Sequence, residues 1–475
     1  MKSKKIILIT LLIFAICLRF IGGDIANFSY FVLAGYAFFG RAQVIQSLAI
    51  LWFFSFIGPA ITENPSAAHL LRYLTIVGAA VSLLLHNYKS NSYNSVSVPV
   101  FATLFLSVFI VVHSMSFSLM VDVSILKAIS WLTVVGVLLS AWTSLDYLER
   151  ARLEMQLFGG LAVLMLLCLP LVFTELGYIR NGYAFQGISD SSQSWGLMMA
   201  ILGSWLIGRL FERVKYRWFE IILLLLSLTL LVLSATRTAG LALFLAAFGT
   251  LIVFLFTRIS LSSFIRTFAV VSAISMVSWF SFSDQLSTFM YKKDSVSNVL
   301  EIGEVSRGVL VFPMIKNISE NPMTGIGFGV ASRPSMRYSR RDSFFGLPIS
   351  SPVEKGVTPI AALEELGLPG LLLVLLWTWI MIKRSFRSGF APFVVLSTVM
   401  FTNLGEASMF SAGGMGLLLL ISLGWAVTGV GYSHSGSTFK EHLRKKQSIG
   451  KSFEVWKRPK VGSFHTMTKI NVPLK

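Results

Sequence analysis

The sequence predicts an all-α, polytopic transmembrane helical bundle of about 14 (12–14) spans, and three observations predict it. Apolar runs fill nearly all of residues 6 to 430; hydrophobic residues make up 55% of the chain against 13% charged, with a mean hydropathy of +0.73, which excludes a soluble globular protein. The runs are continuous, as in FEIILLLLSLTLLVLSA, rather than alternating strands of about ten residues, which excludes a barrel. One long polar break, from about Asp284 to Val357, interrupts the pattern, and a membrane chain that leaves the bilayer for so long in one place usually works there.

The start, MKSKKIILITLLIFAICLRFI, has the basic and apolar regions of a signal peptide but no small-x-small cleavage site, so it reads as a retained first span. Spans are expected at roughly 6 to 21, 27 to 40, 44 to 60, 71 to 86, 98 to 116, 124 to 144, 157 to 175, 194 to 211, 219 to 235, 238 to 256 and 264 to 282, then at 359 to 382, 390 to 404 and 412 to 430. Several are shorter than the roughly twenty residues that cross comfortably, which is why the count carries a range. The chain thus divides into residues 1–282 with eleven spans, a long loop at 283–358 with an amphipathic helix, three last spans at 359–431, and a basic tail at 432–475.

Charge sets the orientation. Ten Lys and Arg against two acids follow Ser433, in a tail beside the last span, as expected of a cytoplasmic face touching anionic lipid. No nucleic-acid-binding module accompanies the net charge of +18. With Lys2, Lys4 and Lys5 inside, an even count puts Arg41, Lys89, Arg150, Arg152, Arg209, Arg258 and Lys383 to Arg387 on the same side as the tail. The long loop and the turns around Arg180 and Arg237 then face outward.

Arg237 stands in LSATRTAG, a tight turn between two apolar runs, where a guanidinium suits a bidentate grip on phosphate or carboxylate, or else snorkels to headgroups. Arg180 follows a span in ELGYIRNGYAFQGISD, where Gly177, Gly182 and Gly187 permit an irregular backbone; it reads as a second arm of an anion clamp or as an ordinary loop arginine. SRGVLVFPMIKNI reads as an interfacial amphipathic helix with Arg307 near its start, stopped by Asn321 and Pro322, and GIGFG as a flexible turn without the strand and lysine of a nucleotide loop. Arg333, Arg337, Arg340 and Arg341 form a basic cluster that attracts a polyanion or touches headgroups.

Thr358 and Pro359 look like the N-cap and first position of the next span. Glu364 and Glu365 fall in its second turn, where two carboxylates need a wet cavity or a basic partner, which loop arginines can supply. Glu354 and Lys355 lie just before it, placed for acid–base work or for pairing with each other. His69 and His113 are the outward histidines and read as packed or interfacial residues, so no metal site is expected. Cys17 and Cys168 lie in apolar runs and indicate no disulfide framework.

The Arg180 loop, TRTAG, SRGVLVFPMIKNISENPMTGIGFG, LEELGLPGLLLVLLW and NLGEASMFSAGGMG come in an order that resembles the O-antigen ligase and Wzy-type polysaccharide polymerase superfamily, membrane glycosyltransferases of the GT-C type, over roughly residues 175 to 430. The resemblance implies transfer of a glycan from an undecaprenyl-diphosphate carrier to a glycan or lipid acceptor, as in lipopolysaccharide or exopolysaccharide assembly. The place would be the outer face of a bacterial inner membrane, with both termini cytoplasmic. It implies that Arg180, Arg237 and Arg307 hold the carrier diphosphate, and that transfer proceeds with inversion, without metal or other cofactor. Family ligases carry a histidine before the Glu-x-Gly segment; here the stretch reads SSPVEKGVTPIAALEELG, and Glu354 is the nearest proton acceptor. A transporter or flippase of a lipid-linked glycan is the alternative from another class.

Overall fold

The computed structural model describes residues 2–65, 67–89, 98–180, 182–212, 218–258, 309–341, 346, 348–350 and 355–428. Among the described residues before the long loop, ten α-helices follow one another: α1 (Lys2–Ile21), α2 (Asn27–Ala37), α3 (Arg41–Phe56), α4 (Ala68–Lys89), α5 (Val98–Phe117), α6 (Val121–Thr143), α7 (Tyr147–Cys168), α8 (Ser192–Glu212), α9 (Trp218–Leu233) and α10 (Arg237–Arg258). The loop holds α11 (Val309–Glu320), and α12 (Thr358–Ser388), α13 (Phe390–Thr402) and α14 (Met415–Thr428) close the described chain. Seven of these, α4 to α8, α10 and α12, are long and apolar enough to cross a membrane, as a multi-pass membrane protein requires; α1, α9, α13 and α14 are apolar but shorter. The expected span at 264 to 282 and the basic tail lie outside the described residues.

The helices sort by which residues they bury. α8, α13 and α14 are buried on nearly every face and form the centre, with α8 and α13 so close that a Cβ on Gly208 would lie 2.2 Å from Ala391 Cα. α5, α9 and α10 instead expose Phe101, Phe105, Leu225, Val232 and Phe244 outward, an apolar surface that suits lipid and not water. Inside, Thr103, Ser107, Thr250, Thr402 and Thr428 return their hydroxyls to the carbonyl four residues earlier, which satisfies polar groups where no water reaches.

Helix ends fall into two sets. At one end Arg41 donates to Ser144 O at 3.1 Å and His86 O at 3.3 Å, Arg150 donates to Trp142 O and Thr428 O, and Glu212 Oε1 accepts from Ala391 N at 2.9 Å. The arginines and lysines expected to share one membrane side, from Arg41 to Arg387, thus share one end of the bundle. At the other end lie the Arg180 loop, the Arg237 turn, the described part of the long loop, and residues 403–414.

Three expectations need correction. The seventh span starts about ten residues early, because Asp146 caps α7 through Glu149 N at 2.6 Å and so draws a polar first turn into the helix; Pro170 then ends it in a 3-10 turn. The all-α architecture is borne out, and the one regular exception among the described residues is a short ribbon in the long loop, where Arg340–Arg341 (β1) pairs antiparallel with Pro348–Ser350 (β2). Val357, not Thr358, takes the cap position of α12, and Thr358 turns to Asn403 and Glu406 instead. Finally, α12 is not one continuous helix, since Gly367 breaks it at φ 66° and ψ −173°.

Candidate functional site

The break in α12 organises the site. In LEELGLPG, Pro369 has no N–H to return to Glu365 O, and the extended left-handed backbone of Gly367 turns Leu368 N away from Glu364 O. The segment read as a flexible turn, NPMTGIGFG, supplies the missing partners. Ile326 N donates to Glu364 O at 2.8 Å, Gly327 N donates to Glu365 O at 3.0 Å, and Leu368 N donates to Pro322 O at 3.0 Å. The loop is therefore docked on a broken helix, which leaves the irregular backbone of both satisfied inside protein.

Both carboxylates beside the break meet a lysine. Lys355 Nζ lies 2.8 Å from Glu364 Oε2 and 3.0 Å from Glu365 Oε1. Glu364 also accepts from Asn317 Nδ2 at 2.6 Å and Ser332 Oγ at 2.9 Å, so a fully buried charge has a full set of donors. The expected partner was a loop arginine. The partner is Lys355, and Arg337 reaches only the next layer, donating to Asn317 Oδ1 and Ser332 O at 3.3 Å. Arg341 is committed elsewhere, in an exposed ion pair with Asp122.

A cavity of about 310 Å3 opens beside this cluster. Its charged lining is Arg72 from α4, Lys127 from α6, Lys355 and Glu365, and its aromatic walls are Tyr73, Phe328 and Phe410. His69 lines it too. His113 does pack, between Phe109 and Phe117. Sequence reasoning missed Arg72 and Lys127; the available signal was a lone cation inside each of two apolar runs, AHLLRYLTIV and SILKAISWL.

Of the candidate residues, Arg307 and Glu354 lie outside the described residues. Arg180 and Arg237 come from loops that the fold joins: Phe185 N donates to Leu233 O at 2.9 Å, and Thr236 Oγ1 donates to Ser192 O at 2.9 Å. Arg180 is exposed and donates to Asp190 O at 3.1 Å, while Arg237 is half-buried at the first position of α10. Gly182 and Gly187 have positive φ, and Gly177 presses on Leu171 O, which bears out the irregular backbone expected there.

Neither arginine lines the cavity, yet residues 403–414 connect the two places. A Cβ on Gly405 would lie 2.6 Å from Thr238 Cγ2 on the Arg237 side, and on the cavity side Thr358 N donates to Asn403 O at 2.9 Å and Ala407 N to Lys355 O at 3.1 Å. Asn403 Oδ1 holds the segment in shape by accepting from Ser408 N and Met409 N. The arrangement offers an exposed and a half-buried guanidinium at one rim and a charged cavity with one carboxylate at the other.

The sequence matches no family model and no curated protein.

Proposed function

We propose that this chain is a membrane glycosyltransferase of the O-antigen ligase and polysaccharide polymerase kind, with a GT-C type bundle, working at the outer face of a bacterial inner membrane. The observation that carries this reading is the run of hydrogen bonds and contacts that gathers the Arg180 loop, the Arg237 turn, residues 403–414 and Lys355 at the bundle end opposite the basic set. A donor with a lipid tail and a diphosphate needs lipid beside cations, and an acceptor hydroxyl needs a carboxylate.

In this reading Arg180 and Arg237 bind the diphosphate of an undecaprenyl-diphosphate-linked glycan and stabilise the charge that grows on it as it leaves. The acceptor hydroxyl oxygen bonds to the anomeric carbon from the opposite face while the bond from that carbon to the diphosphate oxygen breaks, its electron pair leaving with the diphosphate. The hydroxyl proton passes to a carboxylate. Glu365, which faces the cavity, takes this role in place of the sequence candidate Glu354, and Lys355 holds it in position.

The test uses purified full-length protein in detergent with a defined undecaprenyl-diphosphate oligosaccharide and a panel of glycan and lipid acceptors. Release of undecaprenyl diphosphate with formation of a new glycosidic bond is expected. Carrier movement across liposomes with no release for any acceptor overturns the reading in favour of a flippase.

A further inference from the structure

Two of the cavity's cations sit where glycines make room for them. A Cβ on Gly329, which has φ +74°, would lie 2.3 Å from Lys127 Cδ, and a Cβ on Gly413 would lie 2.7 Å from Arg72 Nη1. Lys127 Nζ rests 4.7 Å from the centre of the Phe328 ring, and Arg72 lies 5.0 Å from the centre of the Tyr73 ring and donates to its hydroxyl at 3.2 Å. Neither cation has a carboxylate within ion-pair distance among the described residues.

Lys355 is different, because Glu364 and Glu365 already share it. Counting the lining groups together with Glu364 behind Lys355 leaves one positive charge over, and it is carried on the Arg72 and Lys127 side. Glu365 attracts Lys127 only from beyond ion-pair distance and is already shared with Lys355, so an ammonium and a half-buried guanidinium on this wall leave room for a further anion to complete them. The other lining groups say what kind of anion. Glu365, Ser130 and Ser411 present oxygens suited to hydroxyl groups, and Tyr73, Phe328 and Phe410 present ring faces suited to the apolar face of a sugar. The cavity is at the small end of small-molecule sites, which run from about 300 to 1,000 Å3, with room for a monosaccharide unit.

From these observations we infer that the cavity between α4, α6 and the start of α12 is a subsite for an acidic sugar residue, its carboxylate held by Lys127 and Arg72 and its hydroxyls by Glu365. The subsite is distinct from the Arg180 and Arg237 rim, since neither arginine lines it. That the sugar belongs to a glycan acceptor rests on the function proposed above; that the cavity binds a sugar acid does not.

Direct binding to full-length protein in nanodiscs tests the inference, with three probes: methyl β-glucuronoside, methyl β-glucoside and inorganic diphosphate. The uronoside is expected to bind at least tenfold more tightly than the glucoside, because a charge-assisted hydrogen bond is worth roughly twice a neutral one. Lys127→Met, and independently Arg72→Gln, should each weaken the uronoside roughly tenfold, with Lys127→Arg recovering most of the loss. Arg180→Ala should weaken diphosphate and leave the uronoside unchanged. Equal affinity for uronoside and glucoside overturns the subsite, as does a uronoside affinity insensitive to both cation variants. So does diphosphate that binds the cavity, seen as a Lys127→Met loss as large for diphosphate as for uronoside. Uronoside binding by protein that never releases undecaprenyl diphosphate sinks the enzymatic reading alone.

Discussion

Lys355 Nζ lies 2.8 Å from Glu364 Oε2, with the two side chains only 2% and 0% exposed. A pair so deep in protein is not bought by attraction alone, since each charge loses its water; it persists because Asn317 and Ser332 also donate to the carboxylate and Glu365 shares the lysine. Removing the lysine leaves two buried carboxylates without the cation they share. Lys355→Met is therefore expected to destabilise the protein by about 3–5 kcal/mol. Thermal unfolding in detergent reads this, and the paired change Lys355→Met with Glu364→Gln should recover part of the loss. A single variant as stable as the parent would show that the cluster is solvated.

The break in α12 makes a sharper claim about one residue. At φ 66° and ψ −173° Gly367 occupies backbone space that is open essentially to glycine, and an added Cβ would lie 2.0 Å from Met323 O, a backbone atom with nowhere to move. Gly367→Ala should cost more than about 3 kcal/mol from strain and collision together, and undock residues 322–327 from the helix. Limited proteolysis of the 322–327 segment is the readout. Pro369→Ala is the companion, expected to be mild because the helix is already broken at Gly367 and Gly327 still bonds to Glu365 O. Equal sensitivity of the two would mean that the proline, not the glycine, makes the break.

The spans were legible because continuous apolarity needs no knowledge of neighbours: α8, α9, α10 and α13 start and stop within a few residues of the runs that announce them. α7 was misplaced at its start because Glu149, Arg150, Arg152 and Glu154 read as loop. Yet Asp146 caps the helix there, and Glu154 accepts from Trp205 at 2.9 Å and faces Arg209, contacts more than fifty residues away. The two carboxylates of EELG announced that they needed a basic partner, but which one is decided by how the chain before α12 folds back. The cavity was the least legible part. Its walls come from α4, α6, residues 326–329, 355–366 and 407–413, and a single lysine in an apolar run was all that the sequence offered for Lys127.

Arg180 and Arg237 should separate function from stability. The Arg180 side chain is exposed with one described hydrogen bond, and Arg237 is half-buried, so replacing either by alanine should shift the unfolding temperature little. Loss of a group that stabilises leaving-group charge should nevertheless lower glycan transfer by roughly 10²–10³-fold in each case. Lysine at either position is expected to restore only part of the rate, because it carries the charge without the planar fork. The measurement is undecaprenyl diphosphate release by purified variants alongside their melting curves. A transfer rate unchanged in both alanine variants would leave the diphosphate without its proposed holders.

Glu365 carries the most specific chemical prediction. Glutamine keeps the shape of the side chain and leaves Lys355 paired with Glu364, so Glu365→Gln should fold, with a modest fall in melting temperature. A proton acceptor contributes typically 10²–10⁴-fold to a rate, and glutamine cannot take the proton from an attacking hydroxyl. The change is thus expected to lower kcat by roughly that factor while KM for the lipid donor moves little, because the donor diphosphate is held at the Arg180 and Arg237 rim. Glu365→Asp retains the acid but withdraws it by one methylene, and should fall between the two. If kcat survives in Glu365→Gln while Glu354→Gln is inactive, the proton goes to Glu354, and Glu365 serves only to hold the acceptor's hydroxyls in the cavity.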